Sequence, residues 1–170
     1  LKNGAVYLGV ANADEGVQLR VSGLMAPIVI LSPSPEGEIG EIIKYNLIPS
    51  VSDLHFARTL QERCAQAHIR LPVHIEVDTG MGRGGTLYYE AYQTIKDILA
   101  FPDLIVEGIF THLAASETLL DYNEAQADLF NRLLAKLADE GIRTKFAAAW
   151  GVPLETFGAK PGLTVTEMLY

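Results

Sequence analysis

The sequence predicts an α/β fold built on a parallel sheet, and two observations carry that prediction. Short apolar, β-rich runs alternate with segments of helical periodicity along the whole chain, the pattern that strand–helix–strand units produce. The chain of 170 residues, 49% hydrophobic and 20% charged, also suits one globular domain with a sizeable core.

The elements follow one another in order. Val6–Val10 reads as a strand and Asp14–Ser22 as a helix, then Ile28–Leu31 as a strand and Glu36–Tyr45 as a helix. Leu47–Val51 is the next strand. The helix Asp53–His68 starts at Asp53 behind Ser52 and aligns Leu54, Ala57, Leu60 and Cys64 on one stripe. Val73–Val77 precedes a helix over Leu87–Ala100, and Ile105–Thr111 precedes one over Tyr122–Glu140. That last helix is expected to put Ala125, Leu129, Leu133, Lys136 and Leu137 near one face, with Gly141 as its C-cap glycine. Lys145–Ala148 and Leu163–Thr166 complete seven strands. An open doubly wound sheet and a closed (β/α)8 barrel both fit. A barrel would be one strand short, which an amino end trimmed from a longer chain would explain.

Composition excludes several functions. A formal net charge of −8 with scattered basic residues gives no footprint for nucleic acid or an anionic membrane surface. No apolar run approaches the roughly 20 residues of a membrane span, and the first residues lack the pattern of a signal peptide. The single cysteine, Cys64, allows no disulfide within the chain and points to the cytoplasm.

The stretch VHIEVDTGMGRGG, residues 73–85, carries the most chemistry. Strand alternation places Val73, Ile75 and Val77 on one face and His74, Glu76 and Asp78 on the other. Polar groups on an inward face need partners or water, so that face has a function or meets solvent. Gly80, Gly82 and Gly85 match the GxGxxG dinucleotide fingerprint, with Glu107 as a candidate ribose acid. Asp78 beside the would-be phosphates and Arg83 inside the turn count against it. A plain strand-to-helix glycine turn is the other alternative.

Asp-Thr-Gly-Met-Gly-Arg after a Val/Ile strand is a rarer word, and with it the chain resembles the alanine racemases. YLGVANADEGVQLR is similar to that family's second strand and helix, and APIVILSPS to its third strand. VHIEVDTGMGRGG resembles the fifth-strand signature, and VEGIFTHLAAS with YNEAQADLF the sixth strand and its helix. The resemblance extends to about residue 142. It implies an amino-terminal TIM-type (β/α)8 barrel binding pyridoxal 5'-phosphate, lacking its first strand and the β-rich second domain. Residues 1–170 would form one partial barrel domain, with 143–170 a diverged or irregular tail.

The resemblance also implies roles. Arg83 would bond the cofactor's phenolic oxygen, His112 would line the pocket and Leu31 would pack beside the pyridine ring. Glu76 stands where some racemases carry a carbamylated lysine whose negative charge orients the arginine, and Asp78 supports it. The Schiff-base lysine and the opposing tyrosine would lie outside the chain, which alone is expected not to racemise. Past residue 142, KFAAAWGVPLETFG replaces the run whose serine binds phosphate. Lys160 and Gly162 approximate the later Arg-Pro-Gly; a second register would put Thr164 at the arginine position. The implied enzyme is a cytoplasmic, homodimeric isomerase of L- and D-alanine serving D-alanine supply for the cell wall. Alternatives are a one-domain barrel that carries the cofactor without turnover, and a scaffold-only interaction domain.

Overall fold

The computed structural model describes residues 6–115, 120–144 and 146–150. β1 (Leu8–Val10) leads through Asn12 into α1 (Ala13–Val21). The Asn12 side chain accepts from the Glu15 amide while the Glu15 carboxylate accepts from the Ala11 amide, a near-reciprocal cap. β2 (Ile28–Pro33) is followed by a 3-10 turn at Glu36–Glu38 and by α2 (Ile39–Lys44), where one continuous helix was expected. β3 (Ile48–Val51) precedes α3 (Leu54–Ala67), whose cap is Asp53, accepting from the Phe56 amide at 2.8 Å. β4 (Leu71–Asp78), β5 (Thr86–Leu87) and α4 (Tyr88–Leu99) come next. β6 (Leu104–His112), α5 (Leu120–Asp139) and β7 (Phe146–Trp150) follow. β7 covers Phe146–Ala148 of the expected strand Lys145–Ala148 and continues to Trp150, while Lys145 lies outside the described residues. The predicted strand Leu163–Thr166 lies outside the described residues.

Among the described residues every strand pairing is parallel, in the order β1-β2-β3-β4-β6-β7 with β5 on β4, so chain order is sheet order. This is the succession of a (β/α) barrel, not of a doubly wound sheet, whose order reverses at a switch point. The sheet is curved. Tyr7, beside β1, meets His74 of β4 edge-on with ring centroids 5.5 Å apart. Three inter-strand steps in a flat sheet would separate those strands by roughly 14 Å. On the concave face Tyr7, Val29, Ile48 and Phe110 form one apolar cluster with Leu31. The larger cluster lies between sheet and helices and takes Val73, Ile75 and Val77 from β4, Ile28 and Ile30 from β2, and Phe56, Leu60 and Ile95 from α3 and α4. Both faces of the sheet are therefore covered, and the His-Glu-Asp side of β4 is the barrel's inside.

β6 carries a register shift opposite Val73/His74: Val73 pairs with Val106 but His74 with Gly108, which leaves Glu107 as the extra residue of a bulge. Leu104 and Val106 face the helices before it, and Ile109 does so after it. The bulge thus turns Gly108, Phe110 and His112 to the barrel interior. Gly108 must be glycine because a β-carbon there would lie 2.8 Å from the His74 ring.

α5 corrects the expected helical stripe. Its buried residues are Asn123, Gln126, Phe130, Leu133 and Leu137, while Ala125 and Lys136 are exposed. A search for apolar periodicity passes over the true face because its first two turns carry an asparagine and a glutamine. Among the described residues no helix is long and apolar enough to cross a membrane.

Candidate functional site

Of the residues singled out from sequence, Glu76, Asp78, Arg83 and His112 gather at the carboxyl ends of β4 and β6, the end of a parallel barrel where loops carry chemistry. Asp78 closes the turn that follows β4. Its carboxylate accepts from the Gly80 amide at 2.8 Å and from the Gly82 amide at 3.0 and 3.1 Å, so its role is to shape the backbone that presents Arg83. The chain then returns as β5 to pair with Val77 and Asp78 before α4 begins. The glycines therefore do not open a helix N-terminus, the arrangement a dinucleotide fingerprint requires.

The glycines instead form a roof over a buried acid. Glu76 is 4% exposed. A β-carbon at Gly84 would lie 3.0 Å from Glu76 Oε2, and one at Gly85 would lie 2.8 Å from the Asp78 amide nitrogen and 3.1 Å from Glu76 Cγ. Gly85 also has φ +99°, which a side chain disfavours. Ser52, at the end of β3, donates to Glu76 Oε2 at 3.4 Å. Burial pushes the Glu76 carboxyl above the usual range; the Arg83 charge and the Ser52 hydroxyl partly offset this, and Asp78 adds to it.

Arg83 is exposed and, among the described residues, makes no ion pair with Glu76 within 4 Å. Its charge acts through space. Glu76 feels it, and so does His112, whose pKa lies below the ordinary imidazole value because of burial first and the Arg83 cation second. Arg83, Glu76 and His112 thus share one electrostatic site, with His112 held toward its neutral form. Leu31 lies on the same inner face, in van der Waals reach of the bare Gly9 backbone, where a β-carbon would approach it to 2.8 Å. Lys160, Gly162 and Thr164 lie outside the described residues.

Deeper in the barrel, His74 is fully buried and its pKa is pushed down to about 4 by burial, partly offset by Glu107. Tyr7 is pushed up to about 12 by burial, then by the charge of Glu107 and a hydrogen bond to it. Glu107, weighed from sequence as a ribose acid, is here an inner partner of Tyr7 and His74.

Sequence reasoning missed the polar residues that hold the site's loops. The Gln126 amide donates to Thr79 Oγ1 and to the His112 carbonyl, each at 3.3 Å, and accepts from the Ala114 amide at 2.9 Å. Thr79 and Thr111 share a hydroxyl–hydroxyl bond of 2.8 Å. Asn123 Nδ2 donates to the Ala115 carbonyl at 2.7 Å, and Tyr122 donates to the Gly80 carbonyl at 2.7 Å. The available signal was the pair of polar residues three apart at the start of a helix whose next turns are apolar.

The alanine racemase N-terminal domain family matches residues 1–150. Among relatives, the alanine racemase of Carboxydothermus hydrogenoformans is 37% identical over 150 residues, which is 88% of this chain and 40% of that protein. Alanine racemase 1 of Clostridium acetobutylicum is 37% identical over 172 residues, 96% of this chain and 45% of that protein. The structure of Clostridium difficile alanine racemase in complex with cycloserine superposes with a TM-score of 0.83 at 29% identity, over 87% of this chain and 41% of that one. A histidine racemase from Leuconostoc mesenteroides gives 0.77 at 25%, over 87% and 40%. The chain spans about 40% of the length of the curated relatives it matches.

Proposed function

The chain belongs to the family of alanine racemase amino-terminal domains, and from that premise we propose that it forms the cofactor-facing barrel of a cytoplasmic, dimeric, pyridoxal phosphate-dependent racemase that interconverts L- and D-alanine. The observation that carries this reading is the cation of Arg83 presented beside His112 on a turn built over buried Glu76. We read residues 1–170 as one partial barrel domain, 143–170 its diverged tail, whose Lys160 and Gly162 would complete the cofactor contacts.

The residues present suit a flat aromatic ring bearing an oxyanion. Among the described residues Arg83 has unspent donors at the strand end, and Leu31 offers an apolar surface on the same inner face. When bound, pyridoxal phosphate supplies the electron sink that lets an amino acid lose its α-proton. Arg83 would hold the phenolic oxygen, its planar fork fixing direction as well as charge. Glu76, roofed by glycine backbone, orients Arg83 through its field and needs no modification to carry negative charge. His112, kept toward neutrality, would line the ring without adding a second cation beside Arg83. The groups that move the α-proton would come from outside this chain.

The test is solvent deuterium entering the α-carbon of L-alanine, L-serine and L-histidine when each is incubated in D2O with the full-length protein and pyridoxal phosphate. Fastest exchange with alanine is expected. Cofactor absorbance without exchange would replace this reading with a carrier barrel, and no absorbance at all would leave a scaffold.

A further inference from the structure

We propose that Gln126 is a positioning residue that sets the spacing between Arg83 and His112 by tying together the loops that carry them. It rests on the reading above only in taking Arg83 and His112 as the groups to be held. Thr79 begins the turn that ends at Arg83, while His112 is the last residue of β6 and Leu113 and Ala114 begin the loop after it. The Gln126 side chain, 1% exposed, bonds to both at once.

The chemistry requires a primary amide. The Ala114 N–H can only donate, so Oε1 must face it, and the His112 carbonyl can only accept, so the NH2 group must face that. The remaining N–H goes to Thr79 Oγ1, whose hydroxyl is also bonded to that of Thr111. Three bonds therefore have one consistent polarity, and because Gln126 is itself buried, each unmade one would leave an atom of its amide short of a partner. The neighbouring contacts differ in kind. Among the described residues, the Asn123 side chain bonds to Ala115, on the β6 loop, and the Tyr122 hydroxyl to Gly80, on the β4 turn. Gln126 joins the two. The electrostatic link between Arg83 and His112 then depends on a side chain that touches neither group's charged or titrating atoms.

The experiment measures His112 imidazole titration by NMR and amide exchange at Ala114, in the full-length protein without and then with pyridoxal phosphate. Gln126→Met should speed Ala114 exchange at least tenfold and move the His112 midpoint up toward the ordinary imidazole value, as Arg83 and the loop drift apart. Asn123→Ala should speed exchange at Ala115 and leave the midpoint where it is. An unchanged midpoint in Gln126→Met, or an equal shift in Asn123→Ala, would overturn the proposal. If Gln126→Met does not fold, Thr79→Val removes one branch at constant shape; the same upward shift, smaller, is expected, and no shift overturns it. Because these readings need no cofactor, they stand apart from the racemase reading, which fails separately if the parent protein never takes up pyridoxal phosphate.

Discussion

At the amino ends of the strands, Arg20 donates to the carbonyls of Leu24, Ala26, Tyr45 and Asn46 at 2.6–3.0 Å, pinning the loops that enter β2 and β3. At the carboxyl ends, Arg83 stands exposed on a turn whose own hydrogen bonds are made by Asp78. One guanidinium spends four of its five N–H donors on backbone carbonyls; the other, among the described residues, keeps its donors while the surrounding structure aims it. The contrast separates the face of the barrel that holds the fold from the face left open to a ligand, as parallel barrels generally divide. It also shows that residue type does not assign a role. Number and kind of partners do.

The largest expected effect tests the closed end. Arg20→Met leaves four carbonyls without their common donor and should cost about 3 kcal/mol or more, read as a lower urea midpoint, with little change in cofactor affinity. A loss below about 0.5 kcal/mol would remove the distinction between the two ends.

Between the ends lies His74. Its folded pKa, about 4, is depressed from 6.5, so the stability it contributes is present above the ordinary value and is lost as pH falls toward about 4. The loss amounts to roughly 3 kcal/mol, measured by urea unfolding across that window, and His74→Gln should flatten it. A parent curve that is already flat would mean that His74 titrates normally.

Glu76 should behave in the opposite sense. Its folded pKa is raised, so its contribution is present below the ordinary carboxylate range and disappears as pH rises through the folded value. Glu76→Gln should therefore unfold at a higher temperature than the parent at pH 7 and at the same temperature at pH 3, while loosening Arg83 and shifting the cofactor's absorbance. Lower stability at pH 7 would show that the carboxylate is net favourable to the fold.

The smallest effect on stability belongs to Arg83→Ala, within about 0.5 kcal/mol of the parent. The same change should weaken pyridoxal phosphate binding at least tenfold, about 1.4 kcal/mol. Equal stability with unaltered cofactor affinity would make Arg83 a solvated loop residue.

Much of this was legible in the chain because it depends on local period and local chemistry. Alternating strand and helix patterns specify the parallel class, Asp53 announces α3, and Gly141 follows α5 with φ +76° as a C-cap should. Asp-Thr-Gly-Met-Gly-Arg is readable as a turn, since an Asx carboxylate and glycines at positive φ act within a few residues. The strand-end positions of Arg83 and His112 follow from those elements.

What local pattern could not supply was decided by partners distant in sequence. Strict alternation from Leu104 and Val106 would send His112 toward the helices; the bulge at Glu107 turns it inward, and a bulge is defined only against the paired strand β4. The stripe of α5 was misread because Asn123 and Gln126 are buried for the carbonyls and amides of two loops, not for hydrocarbon. Glu76 becomes a buried acid only when Gly84 and Gly85 fold back over it. Sequence alone determined which elements form and where the reactive side chains begin. Tertiary structure decided which way they point and what titrates them, because register, burial and electric field are properties of neighbours brought together across the sheet.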